Sequence, residues 1–276
     1  MPSVEVRGIQ LHYDQHGTRG DPTVLIHGSL VDSSTWARVV PGLARGLTVL
    51  TYDRRGFGGS TRGPRDSPVA TDAEDLAALL EATDFYPVHL VGHSYGAMVA
   101  LRLAAEHPEF VRSLSLHEPP FFGLLADRPE TVKLWEMFRD GAEAIRDQVR
   151  RGDRDGAARN VVEVFSSTPG AWERLPEGVR RSFAGYMDRW AEEYGDPEAF
   201  RPRPGALRET LVPALLTVGV ESPRFLRGIQ EALARELANP TVREIPRAGH
   251  APHLTAPEEY VGLLLTFLLE RNVPVA

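Results

Sequence analysis

The sequence predicts an α/β protein: a mostly parallel β-sheet with helices on both faces, interrupted once by a helical insertion. Three observations carry this. Short, wholly apolar runs recur along the chain, as in strands buried on both faces. Amphipathic helical patterns separate them, and strands alternating with helices imply parallel βαβ units. Between Pro119 and about Arg208 the alternation stops and only helical stripes remain.

The elements follow in order. Val4, Val6, Ile9, Leu11 and Tyr13 alternate with polar residues and break at Gly8, which predicts an antiparallel hairpin at a sheet edge. Thr23–Ile26, Leu47–Tyr52, Val88–Val91, Val111–Leu116, Ala214–Val218 and Val242–Ile245 read as buried strands. Helices are expected at Trp36–Ala44, at Asp72–Leu80 with Thr71 as N-cap, and at Ala97–Glu106. Pro223–Ala238 and Pro257–Leu269 open with proline near the first turn. In the insertion, Val132, Trp135, Phe138, Ala142, Ile145 and Val149 form one helical stripe. Val179, Phe183, Tyr186, Met187, Trp190 and Tyr194 form another, and Arg201-Pro202-Arg203-Pro204-Gly205 reads as the return linker. The chain therefore divides into a core at 1–118, a cap at 119–208, and the rest of the core at 209–276.

Composition excludes several classes. The net charge of −7 argues against a nucleic-acid partner, whose phosphates demand a basic face. Without cysteine there is no thiolate catalysis, disulfide or cysteine metal site. No apolar run approaches the ~20 residues that span a bilayer. The first residues lack the form of a signal peptide, so the expectation is a cytoplasmic protein with no membrane partner, no metal and no cofactor, as monomer or homodimer.

Gly92-His93-Ser94-Tyr95-Gly96 stands between an apolar strand and a helix. A serine on such a turn is lifted above the sheet edge, with a helix N-terminus behind it for an oxyanion. Serine needs a base. Of nine histidines, His250 follows the last strand through Pro246-Arg247-Ala248-Gly249, at the sheet edge where Ser94 lies. His253 is the rival. His12, His16, His89, His107 and His117 read as structural or solvent-facing, and His93 as pointing elsewhere by alternation.

With these motifs the chain resembles the α/β-hydrolase superfamily over nearly its whole length. His27-Gly28-Ser29, the turn Asp53-Arg54-Arg55-Gly56-Phe57-Gly58-Gly59-Ser60 and Ala248-Gly249-His250 match its other signatures. The resemblance implies an eight-stranded sheet and an oxyanion hole from the backbone N–H of Tyr95 and of Ser29 or Leu30. It also implies structural roles for His27, which ties loops, and Asp53, which caps a turn.

The family's usual acid follows the strand after the cap, but there this chain reads Gly219-Val220-Glu221-Ser222, with Ser222 where aspartate is expected. Two carboxylates remain open as the acid: Glu221, and Glu118 at the end of Val111–Leu116, held extended by Pro119-Pro120. The segment His117-Glu118-Pro119-Pro120 resembles the zearalenone-type lactone hydrolases, which implies Glu118.

The expected activity is hydrolysis of an ester or lactone of a moderately hydrophobic small molecule by Ser94, His250 and Glu118. Carbon–carbon bond hydrolase or cofactor-free haloperoxidase chemistry is the alternative, and a non-catalytic ligand-binding protein the second. Epoxide hydrolases and haloalkane dehalogenases carry aspartate in place of Ser94. Hydroxynitrile lyases need a lysine at the site, and the sole lysine, Lys133, falls in the cap.

Overall fold

The computed structural model describes residues 2–64, 68–127, 129–196, 200–202, 205–238 and 240–270. Of the expected return linker, Arg203 and Pro204 lie outside the described residues.

A hairpin opens the chain, β1 (Ser3–Val6) and β2 (Ile9–His16), turning at Arg7 and Gly8, both at positive φ. Then come β3 (Pro22–Ile26), a 3₁₀ turn at Ser33–Trp36, α1 (Val40–Leu43), β4 (Thr48–Tyr52) and α2 (Pro68–Ala82). Next are β5 (Val88–His93), α3 (Tyr95–Glu106) and β6 (Val111–His117). Among the described residues, a 3₁₀ turn at Phe122–Leu125 and six α-helices follow before the sheet resumes: α4 (Val132–Arg150), α5 (Arg154–Phe165), α6 (Ala171–Arg174), α7 (Glu177–Gly185), α8 (Met187–Glu193) and α9 (Ala206–Glu209). The chain closes with β7 (Ala214–Gly219), α10 (Arg224–Glu236), β8 (Thr241–Ile245), α11 (Pro252–Thr255) and α12 (Pro257–Glu270).

The eight strands form one sheet in the order β1-β2-β4-β3-β5-β6-β7-β8. The hairpin joins antiparallel through β2 and β4, and every other pairing is parallel. Both faces are covered, as the apolar runs require. Val24 and Ile26 of β3 belong to one apolar cluster with Leu76 of α2, Leu103 of α3 and Ile229 of α10. Leu25, between them, points to the other face and packs with Leu43 of α1 and Tyr260 and Leu264 of α12. The third apolar cluster belongs to the cap helices, with Ile145, Val161, Met187 and Trp190 at its centre. No helix among the described residues is long and apolar enough to cross a membrane.

Three local expectations are corrected. The helix expected at Trp36–Ala44 divides into the 3₁₀ turn and α1. Thr71 lies inside α2 instead of capping it. Asp72 and Asp75, in the first turn of the helix expected at Asp72–Leu80, lie inside α2 instead, and both are buried against Arg54 and Arg55. Burying two guanidinium groups demands carboxylates beside them, and this demand outweighs a capping pattern. In the cap, the second stripe is broken at Tyr186 into α7 and α8, and α5 and α6 lie between the two stripes.

Candidate active site

Ser94 sits between β5 and α3 with φ 52° and ψ −122°, a strained conformation for a residue with a side chain. The flanking glycines make the turn possible. A Cβ on Gly92 would lie 2.5 Å from the Cα of Ala97, and one on Gly96 would strike the carbonyl oxygen of Ile26. The Ser94 N–H donates to the carbonyl of His117 at 2.8 Å, which ties the serine to the end of β6.

Glu118 is the next residue after β6, and it too is strained, at φ 46°. Its Oε2 accepts from His250 Nδ1 at 2.7 Å, and its Oε1 accepts from the Gly219 N–H at 2.8 Å. The side chain is fully buried. Burial alone would raise this carboxyl, but His117, His250 and Ser222 outweigh it and hold the group down at about 2. An ionised carboxylate only accepts, so His250 Nδ1 carries the proton and Nε2 is left as the basic nitrogen.

Of the two acids open in the sequence, the structure brings Glu118 to His250. Glu221 is exposed, and its backbone N–H donates to Ala248 O at 2.9 Å. The reason is strand order. Strands β6 and β7 are parallel neighbours, with His117 opposite Thr217, so their C-terminal ends share one place beside His250. Ser222 lies toward the same carboxylate and helps to hold its charge.

Three further histidines, His93, His117 and His253, are buried around His250. His253 bonds Thr35 Oγ1 at 2.8 Å, and burial with nearby His117 and His250 takes it down to about 3. His117 bonds Thr217 Oγ1 at 2.9 Å and is lowered to about 4, mainly by burial. His93 corrects its expectation. Its Nε2–H donates to the backbone carbonyl of His250 at 2.7 Å, and the rings lie 4.9 Å apart. Sequence reasoning missed this support. The signal was a second imidazole in the elbow itself, adjacent to the serine.

On the other side of Ser94, His27 and Asp53 hold loops. His27 Nδ1–H donates to Gly28 O at 2.8 Å, and its Nε2 accepts from the Arg54 N–H at 3.0 Å. Asp53 accepts from the N–H groups of Ser33 and Gly59. Gly28 lies against the elbow: a Cβ there would come within 3.1 Å of Ser94 Cβ. Ser29 and Leu30 therefore follow directly beside the serine, Leu30 at φ 64°, while Tyr95 opens α3, where first-turn N–H groups have no partner within the helix.

Above the site lies a cavity of about 190 Å³ lined by Phe122, Phe138, Ile145, Val161, Phe165 and Trp190, among other apolar residues. Among the described residues, no charged side chain lines it. Neither Ser94 nor His250 is in its wall, but Phe165 joins the two places, its ring 4.8 Å from that of His250.

An elbow serine with a carboxylate-oriented histidine on a mostly parallel eight-stranded sheet defines a recognisable architecture, and the family model described as the alpha/beta hydrolase fold matches residues 21–257. The chain belongs to the α/β hydrolase fold family. Among relatives, it is 28% identical to the pyrrolizixenacetamide deacetylase of Xenorhabdus hominickii, covering 99% of this chain and all of that one. It is also 28% identical to the pimeloyl-[acyl-carrier protein] methyl ester esterase of Chromobacterium violaceum, covering 91% of this chain and 95% of that one. Among solved structures, the enol-lactonase of Burkholderia xenovorans LB400 superimposes with a TM-score of 0.78 at 23% identity, over 97% of this chain and all of that one. At that identity the likeness is one of fold.

Proposed function

We propose that this protein is a serine hydrolase that cleaves an ester or lactone of a moderately hydrophobic small molecule. The observation that carries the reading is the bond from His250 to a buried, ionised Glu118 beside a strained elbow serine. In this mechanism Ser94 Oγ attacks the carbonyl carbon and His250 Nε2 takes the serine proton. Glu118 stabilises the imidazolium by charge and fixes the ring. The N–H groups of Tyr95 and of Ser29 or Leu30 stabilise the tetrahedral oxyanion, a contribution of about 3–4 kcal/mol per donor in a well-studied protease. His250 then protonates the leaving alkoxide, and water releases the acyl group from Ser94.

The cap cavity supports a substrate with an apolar substituent. An apolar cavity of about 150 Å³ in another protein accommodates benzene, so the cavity here suits a group near the size of one ring. The relatives named as a deacetylase and a methyl ester esterase both point to attack at a carbonyl. The first is a reason to include an acetamide among the compounds tried.

The test is turnover of p-nitrophenyl esters and a macrolactone panel, with phosphonate labelling at Ser94. Labelling of Ser94 together with ester turnover is the expected result. Turnover of vinylogous diketones but not esters would move the reading to carbon–carbon hydrolysis, and no turnover with no labelling would leave a ligand-binding protein.

A further inference from the structure

The mechanism makes no use of the cap's own ionisable groups, yet one of them is buried directly against the oxyanion loop. Glu193, the last residue of α8, is fully buried. Its Oε2 accepts from Ser29 Oγ at 2.6 Å and its Oε1 from Arg54 Nη1 at 2.7 Å. Arg54 is equally buried and is itself fixed on every side. Asp72 accepts from it at 2.6 Å, its Nε donates to His27 O and its Nη2 to Gly28 O. Its guanidinium lies over the rings of Phe57 and Tyr95, at 4.5 and 4.7 Å. Burial would weaken its charge, but Glu193 and Asp72 overcome that and raise its pKa above the usual range. The neighbouring Leu30 buries its side chain in the apolar cluster of the cap. Every residue from His27 to Leu30 is thus held through either Arg54 or the cap, His27 by its carbonyl and by its ring.

We propose that Glu193 is a positioning residue for the oxyanion hole: docked on Ser29 Oγ and Arg54, the cap carboxylate sets the direction of the Ser29 and Leu30 backbone N–H groups beside Ser94. The proposal rests on the serine-hydrolase reading above. The physical argument is the cost of misdirection. A shift of about 1 Å in a group that serves the transition state can cost about 100-fold in rate. A loop containing glycine and a residue at positive φ has no internal reason to hold one direction. A buried carboxylate with two short bonds supplies that reason, because each bond left unmade in the buried site is expensive. On the proposed function, an apolar substituent of the substrate would sit in the cap cavity, whose lining does not include Glu193.

The experiment compares Glu193→Gln, Ser29→Ala and Arg62→Ala with the wild type on a p-nitrophenyl ester, with kcat expressed per phosphonate-titrated site. Ser29→Ala keeps the backbone N–H and removes only the hydroxyl, so it tests the idea even if the Glu193 variant does not fold. Arg62 makes an exposed ion pair with Glu192, the adjacent cap residue, at 2.7 Å and serves as the control for general cap docking. The expected result is a kcat about 10-fold lower for Ser29→Ala and up to about 100-fold lower for Glu193→Gln. KM should hold, and Arg62→Ala should match the wild type. Unchanged kcat in Ser29→Ala overturns the proposal, as does an equal loss in Arg62→Ala or a loss confined to KM. If the wild type is neither labelled nor active, the hydrolase reading itself has failed, which is a different result.

Discussion

Two buried glutamates stand on either side of Ser94, and they are held for opposite reasons. Glu118 comes from the sheet, at the end of β6, and bonds His250, which in the proposed mechanism gains and loses a proton. Glu193 comes from the cap and meets an arginine that never does. Both are fully buried carboxylates, which are costly unless paired and hydrogen-bonded. At Glu118 the partner is an imidazole, so in the proposed mechanism the carboxylate stabilises an imidazolium that exists only during reaction. At Glu193 the partner's charge is permanent, so the same residue type can only hold geometry. The difference teaches that burial alone does not single out the acid of the proposed triad, and that the partner's proton chemistry does.

The sharpest way to break this comparison is to remove what both ends serve. Ser94→Ala should lower kcat by about 10⁶-fold, as for a serine that acts with its histidine as a unit, with unchanged circular dichroism. Retained turnover would dismiss the elbow serine as nucleophile. Next, Glu118→Gln should lower kcat by about 10⁴-fold, the cost of leaving a triad histidine without its carboxylate. Glu221→Gln should leave it unchanged. The reverse outcome would return the acid to the end of β7.

At the other end the expected effect is on stability. Asp72→Asn removes one of the two carboxylates bonded to Arg54 and should destabilise the fold by about 3–5 kcal/mol, read from urea midpoints. A shift below 1 kcal/mol, read the same way, would mean that Glu193 alone suffices for the arginine.

The pH dependence of stability sharpens the contrast further. His117 and His253 have folded pKa values of about 4 and about 3, below the ordinary 6.5, with burial the main cause. As pH falls below 6.5 the unfolded chain takes up protons that the folded chain refuses, so stability declines, and for His117 the decline continues to about 4. Glu118, lowered from 4.5 to about 2, adds a further loss as pH falls across that range. Urea midpoints should therefore drop steadily from pH 6.5 towards 4, and His117→Asn should flatten the slope. A flat midpoint in the wild type would show that these imidazoles are not kept neutral by burial.

Much of the fold was legible along the chain. Wholly apolar runs such as Thr23–Ile26 and Val88–Val91 became strands buried on both faces, and the broken alternation at Gly8 became the edge hairpin, because those patterns depend only on which side chains must leave water. Val242–Ile245 is corrected, since as the last strand of the sheet it is exposed from Val242 to Glu244. The buried pairs were less legible. Asp72 and Asp75 looked like first-turn acids of a helix, and only Arg54 and Arg55, brought in from another loop, turned them inward. The break at Tyr186 was not readable either, since the stripe from Val179 to Tyr194 continues across it; the Tyr186 hydroxyl, which donates to Asp32 and accepts from the Gly58 N–H, belongs to contacts with the core.

At the site, local chemistry named its own members. The strand–glycine–serine–glycine–helix pattern marks Ser94, and the turn after the last strand marks His250, because both depend on neighbours in sequence. Between Glu118 and Glu221 the residue pattern alone left both open, and only the resemblance of His117-Glu118-Pro119-Pro120 implied Glu118. Both follow strands and both could reach the sheet edge, and only the adjacency of β6 and β7 settles which carboxylate lies at His250 Nδ1. The sequence likewise carried no sign that Glu193 meets Ser29, which is 164 positions away. Patterning follows from solvent exclusion and is written residue by residue. The pairing of buried charges depends on distances across the fold, and those exist only once the chain has folded.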